Sequence, residues 1–361
     1  MLSIVSAACG GLITLVAFSG FVLNISVMCI LYRSGFVNPS HNSVYILAFC
    51  NIIGNTIQLF VSFAYLGPTT IVQDVLAITE SSRSFYGLVE SAKIYLILWK
   101  HKSFHEEDYF EGGTNSTGTK FFSWIFLGCW YSDMFLQPVV ALNRLVMVVF
   151  PLHSHIFNRR RIITYGVLTL LLGFVLSFFS DFVISCCIAY VYYPVYSYAY
   201  IDTGFNYVNI YIDLPLNSSS SFISILFYII IFIHVRRNNL RVSRFTGKQL
   251  SSRKIKEIRY AVQFAFCSVF VLLAWVTFRV FPVVVPPDKV ASFTVIAMCL
   301  ILHCVANSLI FIFFNKEFKD KFFGRSSCTN SQNIPSAKES KILLMTNITS
   351  KGSPESAILI S

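Results

Sequence analysis

Hydrophobic residues run along this chain in seven long stretches, and short segments between them hold most of the charged residues. No charged side chain occurs from Met1 to Tyr32, and after Arg33 the next one is Asp74. About 20 apolar residues in a helix suffice to cross the roughly 30 Å hydrocarbon core of a bilayer. The pattern therefore predicts an all-α membrane protein, a seven-transmembrane helix bundle with spans near residues 3–32, 42–67, 120–149, 162–186, 206–235, 258–282 and 290–314.

The charge distribution predicts how this bundle lies in the membrane. Only 12% of the 361 residues are charged and 55% are hydrophobic, whereas soluble domains carry about 25% charged residues. If the first connection faces the cytoplasm, 21 of the 28 basic residues lie inside, with only 5 of the 17 acidic ones. The excess of Lys and Arg inside predicts an extracellular N-terminus and a cytoplasmic C-terminus. The net charge of +11 then reflects membrane orientation, and no nucleic-acid partner is expected.

The chain is expected to hold one membrane domain, residues 1–325, followed by a disordered cytoplasmic tail, residues 326–361. The tail is rich in Ser and Thr and shows no sustained hydrophobic period. An unusually long extracellular loop is predicted over residues 68–119. It contains Asn115-Ser116-Thr117, an acceptor sequence for an N-linked sugar. A true loop and a segment retained by a faulty gene model both remain open for this insertion.

Two charged residues on the third span suggest function. A carboxylate near mid-bilayer costs about 3 kcal/mol on insertion scales, so Asp133 is expected to face the bundle interior. Arg144 follows eleven residues later, about three helical turns, and therefore on roughly the same face. Arg144 is either a charge that fixes topology at the helix end or a working part of the protein.

A second group of polar residues lies nearer the outer ends of the fourth, fifth and sixth spans. It comprises Asp181, Asp213 and Arg279, with the aromatic residues Tyr207, Tyr211, Trp275 and Phe278 close by in sequence. Such a mixture suits a small-molecule cavity with a few polar anchors among aromatic rings. The competing interpretation is an aromatic belt at the membrane interface, which occurs whatever the function.

Several short motifs resemble those of the rhodopsin-like superfamily of G-protein-coupled receptors. Asn24 in GFVLN and Asn51 in LAFCN lie where that superfamily places polar residues of helices one and two, although it usually has an aspartate at the second. Asn143-Arg144-Leu145 resembles the Asp-Arg-Tyr motif, and NSLIF from Asn307 resembles Asn-Pro-x-x-Tyr. More specifically, NSVYILAFCNIIGN, ALNR with FPLHSHIF, SRKIKEIRYAVQ and FNKEFKD are similar to blocks of the nematode serpentine receptor class X of chemoreceptors.

The resemblance implies a chemosensory receptor that binds a small-molecule ligand on the extracellular side and activates a heterotrimeric G protein. It implies a multi-pass protein of the plasma membrane, in contact with membrane lipid, with the sensory cilium as a candidate location. Glu257 is the expected partner of Arg144 in an inner lock, because Asn143 supplies no charge. The carboxylate missing at Asn51 is expected to have moved to Asp133, which would keep a polar switch with Asn24, His303 and Asn307.

Catalysis has little support in the sequence. HExxH, GxSxG and P-loop motifs are missing, and the seven histidines show no metal-ligand spacing. Neither an enzyme activity nor a metal or other cofactor is therefore expected. The alternative function is a transporter or channel with a polar path through Asp133. The internal repeats typical of transporters are not found, which favours the receptor.

Overall fold

The computed structural model describes residues 2–37, 44–72, 117–184, 189–192, 195–200, 206–242, 248–286 and 289–324. Seven helices in these ranges are long and apolar enough to cross a membrane, so the seven predicted spans are confirmed. They are α1 (Leu2–Arg33), α2 (Val44–Val61), α3 (Thr117–Val149), α4 (Arg159–Phe178), α5 (Leu214–Val242), α6 (Lys248–Val284) and α7 (Thr294–Phe314). A short helix, α8 (Lys316–Phe322), follows α7.

Three of the spans contain a wider, π-helical turn that the sequence pattern did not predict. Ser62–Leu66 prolongs α2, Phe179–Val183 ends α4, and Val208–Asp213 precedes α5. An extra residue in a turn rotates the helix beyond it, and such turns are frequent at functional sites. Each of the three carries a buried polar side chain, namely Ser62, Asp181 and Asp213.

The bundle is built around α3, which packs against α2, α4, α5 and α6, while α7 closes the ring against α1, α2 and α6. The most apolar windows of α2, α3 and α7 are 61%, 72% and 67% buried, whereas those of α1, α4, α5 and α6 are 22–28% buried. Leu171 and Val175 of α4 and Phe222 of α5 are more than half exposed. Exposing these apolar side chains to water would be unfavourable, so these faces are the surfaces that lipid covers.

Helices α3 and α4 approach each other closely because small residues line their contact. A Cβ atom added to Gly173 would lie 2.5 Å from the backbone nitrogen of Ser132 and 2.7 Å from the carbonyl of Gly128. Ser132 in turn donates a hydrogen bond to the carbonyl of Leu170, 3.2 Å away. In hydrocarbon, where helix association gains nothing from the hydrophobic effect, small residues and hydrogen bonds of this kind hold helices together.

Pro138 interrupts the hydrogen bonding of α3 and creates a link to α5. Proline has no N–H, so the carbonyl of Met134, four residues earlier, loses its helical partner. The hydroxyl of Ser220 on α5 donates to that carbonyl at 2.6 Å. A helix defect of α3 is thereby converted into a hydrogen bond between two helices.

The all-α prediction omitted one feature, an antiparallel β-hairpin between α4 and α5. Strand β1 (Ala189–Tyr192) pairs with β2 (Ser197–Tyr200), with Tyr192 opposite Ser197. The surrounding sequence, AYVYYPVYSYAY, is rich in the aromatic and β-branched residues that favour strands. The hairpin contacts α3 through β1 and α7 through β2, so it covers one end of the bundle.

Asn315 precedes helix α8 and caps it, because its side chain accepts a hydrogen bond from the backbone nitrogen of Phe318 at 3.1 Å. Phe318 is fully buried and its ring contacts Phe36 and Phe311. Phe318 therefore anchors α8 to the bundle.

Residues 73–116, which hold Asn115, and the tail from residue 325 onward lie outside the described residues. The glycosylation site, most of the long loop and the disordered tail stay predictions.

Candidate functional site

A small cavity of about 40 Å³ lies at the hairpin end of the bundle. Its walls come from α3, α6, α7, the hairpin and the π-helical turn before α5. The lining residues are mostly aromatic or aliphatic: Ser123, Phe126, Leu127, Trp130, Val191, Tyr198, Tyr200, Asp213, Trp275, Phe278 and Leu300. A water molecule needs about 10–15 Å³ of such space, so the cavity has room for about three.

Asp213 is the charged residue of this wall, and its carboxylate is fully engaged. Its Oδ2 atom accepts from Tyr200 at 2.5 Å and pairs with Arg279 at 2.6 Å. Its Oδ1 atom accepts from the amide of Asn217 at 2.8 Å. Arg279 also donates to Asn209 and lies over the ring of Tyr200. This group, which we term the outer lock, ties α6 to the start of α5 and to the hairpin.

Burial, the largest influence, raises the pKa of the Tyr200 hydroxyl well above its ordinary value. The hydroxyl therefore stays protonated at neutral pH and donates its proton to the hydrogen bond with Asp213.

Of the seven residues predicted for the cavity, the structure brings four to the cavity wall or the outer lock, but not the other three. Asp213, Trp275 and Phe278 line the cavity, and Arg279 holds Asp213. Tyr207 and Tyr211 are 53% and 66% exposed and stack on each other, as residues of an interfacial belt do. Asp181 is buried on the α4 side and is not among the lining residues.

A polar cluster occupies the middle of the bundle. The amide of Asn51 on α2 donates to the carboxylate of Asp133 on α3 at 2.9 Å. Asn307 of α7 donates to the amide oxygen of Asn51 at 2.6 Å, and Asn55 donates to the same oxygen at 3.1 Å. We term this group the central cluster. It joins α2, α3 and α7 through side chains that would be unfavourable in hydrocarbon without partners.

His303 and Asn24 extend the central cluster in two directions. The Nε2 atom of His303 lies 3.5 Å from the second carboxylate oxygen of Asp133, and its ring meets the edge of Trp130. Asn24 of α1 donates to the backbone carbonyl of Cys304 at 3.3 Å, so it reaches α7 next to His303. All five residues predicted for the polar switch therefore lie on neighbouring positions of four helices, while their switching role stays a prediction.

Arg144 lies at the opposite end of α3 from the cavity and is completely buried. One of its terminal nitrogens donates to the side chain of Asn143 at 3.1 Å. The guanidinium carbon lies 5.8 Å and 5.7 Å from the ring centres of Tyr260 and Phe264 on α6, a distance at which cation–π attraction operates. A charge that merely marks topology reaches out to water, whereas this one is enclosed between α3 and α6.

Tyr260 continues the contact from α6 to α2 and the end of α7. Its hydroxyl lies 3.0 Å from the hydroxyl of Tyr45 on α2, which also accepts from Asn315 at 3.1 Å. Arg144, Tyr260, Tyr45 and Asn315, which we term the inner tie, connect the ends of α2, α3, α6 and α7. The side chain of Glu257 lies outside the described residues, so its predicted contact with Arg144 stays a prediction.

Sequence reasoning missed several members of these three groups. Tyr200, Asn209 and Asn217 of the outer lock, Asn55 of the central cluster, and Tyr45, Tyr260 and Asn315 of the inner tie were not predicted. A usable signal existed for Tyr260 and Phe264, because they follow Glu257 at one and two helical turns and share its face of α6. For Tyr200 no signal existed, since its position depends on the hairpin.

The bundle resembles a visual pigment in three dimensions. The crystal structure of squid rhodopsin matches it with a TM-score of 0.65, covering 98% of this chain and 93% of that chain at 12% sequence identity. At this identity the likeness shows the fold alone, which is that of the rhodopsin-like receptors. No curated protein matches the chain in sequence.

The family is shown by a sequence model. The model of the serpentine type 7TM GPCR chemoreceptor Srx matches residues 107–315, more than half of the chain. The protein is therefore a seven-transmembrane receptor of the G-protein-coupled class, and the chain belongs to the Srx family of serpentine chemoreceptors. It is a multi-pass membrane protein and a receptor rather than an enzyme.

The outer lock allows a first prediction about stability. The side chains of Arg279 and Asp213 are only 20% and 5% exposed, and removing one partner of a buried ion pair typically costs about 3–5 kcal/mol. We expect Arg279→Met to lower the free energy of unfolding by about 3 kcal/mol, because Asp213 keeps a buried charge without its cation. The double variant Arg279→Met, Asp213→Leu should lose less than Arg279→Met alone. Thermal unfolding of the detergent-purified receptor measures both losses. A double variant that loses as much stability as Arg279→Met alone, or more, would contradict the pairing.

Proposed function

We propose that this Srx receptor binds a small chemical cue on the extracellular side and activates a heterotrimeric G protein on the cytoplasmic side. The carrying observation is the position of Arg144, fully buried between α3 and α6 at the end of the bundle opposite the cavity. A guanidinium held this way is available to a partner only when the two helices separate. The positive-inside distribution supports placing that end in the cytoplasm and the N-terminus outside.

The mechanism we propose is a shift between two populations. A ligand that fits the cavity better when the cytoplasmic ends are apart stabilises that arrangement by its difference in affinity for the two states. Helix α6 then moves away from α3, the inner tie opens, and Arg144 with the basic segment 236–259 contacts the G protein. Guanine-nucleotide exchange takes place on the G protein. The receptor supplies only the contact surface.

The central cluster is proposed to act as the switch between these two ends. It lies on α3 between the cavity and Arg144, and it includes side chains of α2 and α7. Any displacement of α7 relative to α3 has to break or exchange the hydrogen bonds of Asn51 and Asp133. The strength of these bonds therefore sets how far the resting population dominates.

The receptor is proposed to reside in the plasma membrane, with the sensory cilium as the candidate compartment and Asn115 glycosylated. A transporter or channel with a path through Asp133 is the alternative. The family membership favours the receptor, because it assigns the chain to chemoreceptors coupled to G proteins.

The test of the proposed function is expression in cultured cells with a Gα subunit and an epitope tag at the receptor N-terminus. Antibody binding to the tag on intact cells measures surface expression and also shows whether the N-terminus lies outside the cell. A panel of small soluble and volatile compounds is then screened for ligand-dependent G-protein activation. Ligand-dependent activation that needs both receptor and Gα supports the proposal. A tag accessible only after permeabilisation, or compound-dependent ion flux without Gα, would contradict it.

Glu257 provides a second prediction, about signalling without ligand. If its carboxylate pairs with Arg144 in the resting state, Glu257→Ala removes a contact that keeps α6 against α3. We expect ligand-free signalling to rise about threefold to tenfold, equivalent to about 0.7–1.4 kcal/mol of lost resting stability. Signalling is compared at equal surface expression with Glu257→Asp, which keeps the charge. Unchanged basal activity in Glu257→Ala would exclude Glu257 as the partner.

A further inference from the structure

His303 and Asp133 form a pair of titratable side chains enclosed in the middle of the bundle. The Nε2 atom of the imidazole on α7 lies 3.5 Å from the Oδ2 atom of the carboxylate on α3. Asp133 and His303 are 2% and 0% exposed, so neither side chain reaches water in this arrangement. The other carboxylate oxygen already accepts from Asn51. His303 is therefore the described residue that is placed to balance the charge of Asp133.

The helices around this pair supply no second counter-charge among the described residues. The titratable groups that face the carboxylate are the thiols of Cys129 on α3 and Cys304 on α7, and thiols are ordinarily uncharged at neutral pH. The side chains that α1 and α2 bring to the cluster are uncharged amides. Arg279 of α6 is held by Asp213, and Arg144 lies about three helical turns away. A carboxylate beside a neutral imidazole would leave a bare negative charge here, which is strongly unfavourable.

A proton on the imidazole removes this imbalance and needs no cavity. Carboxylate and imidazolium together carry no net charge, and they lie close enough to attract each other directly. The ring centres of His303 and Trp130 are 5.8 Å apart, a distance at which an aromatic ring attracts a cation. No three His, Cys, Asp or Glu side chains of the described residues are arranged to hold a metal ion. A proton is therefore the cation that this site suits best.

We propose that Asp133 and His303 form a proton-binding site, and that the proton bound there holds α3 against α7 in the resting receptor. When the imidazolium releases this proton to water, Asp133 stays ionised and loses its charged partner. The contact between α3 and α7 is then weaker, so the arrangement with α6 moved outward gains population. The inference rests on the proposed role of the central cluster as a switch. It adds the proton as a ligand that regulates the switch.

The experiment follows the full-length receptor in lipid nanodiscs, with no ligand and no G protein, across the pH range in which histidine side chains ordinarily titrate. The reporter is an environment-sensitive fluorophore whose own emission does not depend on pH. It is attached at Arg259, an exposed residue where the membrane-spanning part of α6 begins. We expect the open population to rise about threefold to tenfold from about pH 6 to about pH 8. Release of one proton changes such an equilibrium by at most about tenfold per pH unit.

Two variants remove the site in different ways, and a third is the control. His303→Gln removes the proton-binding ring and keeps a polar side chain, so the open population should be high and independent of pH. Asp133→Asn removes the counter-charge and should also abolish the pH response. His153→Gln should keep the wild-type response, because His153 is exposed on the segment between α3 and α4.

The protonation of His303 is measured directly by ¹⁵N NMR of the receptor with labelled histidines. The signal that is missing in His303→Gln identifies this imidazole. We expect both of its nitrogens to carry a proton at the lower pH and one of them to lose it at the higher pH. A purely structural role of His303 would leave its signal unchanged between the two conditions.

A wild-type receptor whose α6 reporter does not respond to pH would overturn the inference without any variant. A response that survives His303→Gln, or one that disappears in His153→Gln, would overturn it as well. A response that follows the sodium concentration at constant pH would assign the site to a metal ion instead.

These outcomes are separable from the proposed function. Ligand-dependent Gα activation that is equal at every pH would support the receptor function and refute the proton site. A pH response that needs His303, in a receptor that never activates Gα, would support the proton site and refute the signalling role.

Discussion

Replacing Arg144 with glutamine is expected to reduce ligand-dependent G-protein activation by at least about tenfold while the receptor still reaches the surface. Hydrogen bonds to charged groups contribute about 1.5–3 kcal/mol each, which corresponds to roughly a tenfold to 150-fold change in an equilibrium. Glutamine fills similar space and can still contact Asn143, but it lacks the charge offered to the partner. G-protein activation is measured at matched surface expression.

The control for this variant is Arg33→Gln. Arg33 is another arginine at a helix end, but it is exposed, as a side chain that only sets topology would be. If both variants retain full activation, Arg144 is a topology charge as well, and the proposed inner contact is wrong. If only Arg144→Gln loses activation, the two arginines have different roles although both lie near the end of a helix.

Replacing Asp133 with asparagine is expected to raise ligand-free signalling about fivefold. The substitution keeps the shape and one acceptor oxygen for Asn51, so the packing of α3 is preserved. It converts a hydrogen bond to a charged group into a neutral one, which weakens the resting arrangement by about 1 kcal/mol. A loss of this size shifts a two-state equilibrium about fivefold toward the other state.

Asp181→Asn is the matched control for this second variant. Asp181 is another buried acid of the same bundle, but it lies outside the central cluster, so its isosteric replacement should leave ligand-free signalling unchanged. The measurement is basal G-protein activation at equal surface expression. Unchanged signalling in Asp133→Asn would reduce Asp133 to a structural residue, and equal increases in both variants would point to a general loosening of the bundle.

The span pattern could be predicted because a bilayer imposes a simple rule on sequence. Length and hydropathy alone placed all seven spans, and the interior position of Asp133 followed from the cost of exposing a carboxylate to lipid. The proximity of Asn51, Asp133 and Asn307 came from the resemblance to the receptor superfamily. The sequence pattern alone could not predict this contact, because the three residues lie on three different helices.

The outer lock could be predicted only in part. Asp213 and Arg279 were recognised as intramembrane charges, but their pairing depends on the π-helical turn Val208–Asp213, which turns Asp213 inward. Hydropathy does not distinguish a π-helical turn from an α-helical one. The same limit explains Tyr207 and Tyr211, whose aromatic character suits a cavity and an interfacial belt equally well. Their exposure assigns them to the surface.

The inner tie shows a different limit. The opposite charge of Glu257 predicts a contact with Arg144, and that contact stays a prediction. The guanidinium also contacts an amide and two aromatic rings, which opposite charges along the sequence do not indicate. Aromatic faces attract cations without carrying a formal charge. Net charge along the sequence cannot reveal such partners.

The hairpin over the cavity has a consequence for the time course of sensing. Val191 is bonded to Ser123 of α3, Tyr198 to Ser62 next to α2, and Tyr200 to Asp213, so the roof is fastened at three points. If the proposed cue enters and leaves past the hairpin, it does so only when some of these bonds open. Association would then be slower than diffusion allows, and a bound cue would dwell in the receptor after its source has gone. The receptor's signal would then outlast the cue by a time set by the lifetime of a few hydrogen bonds.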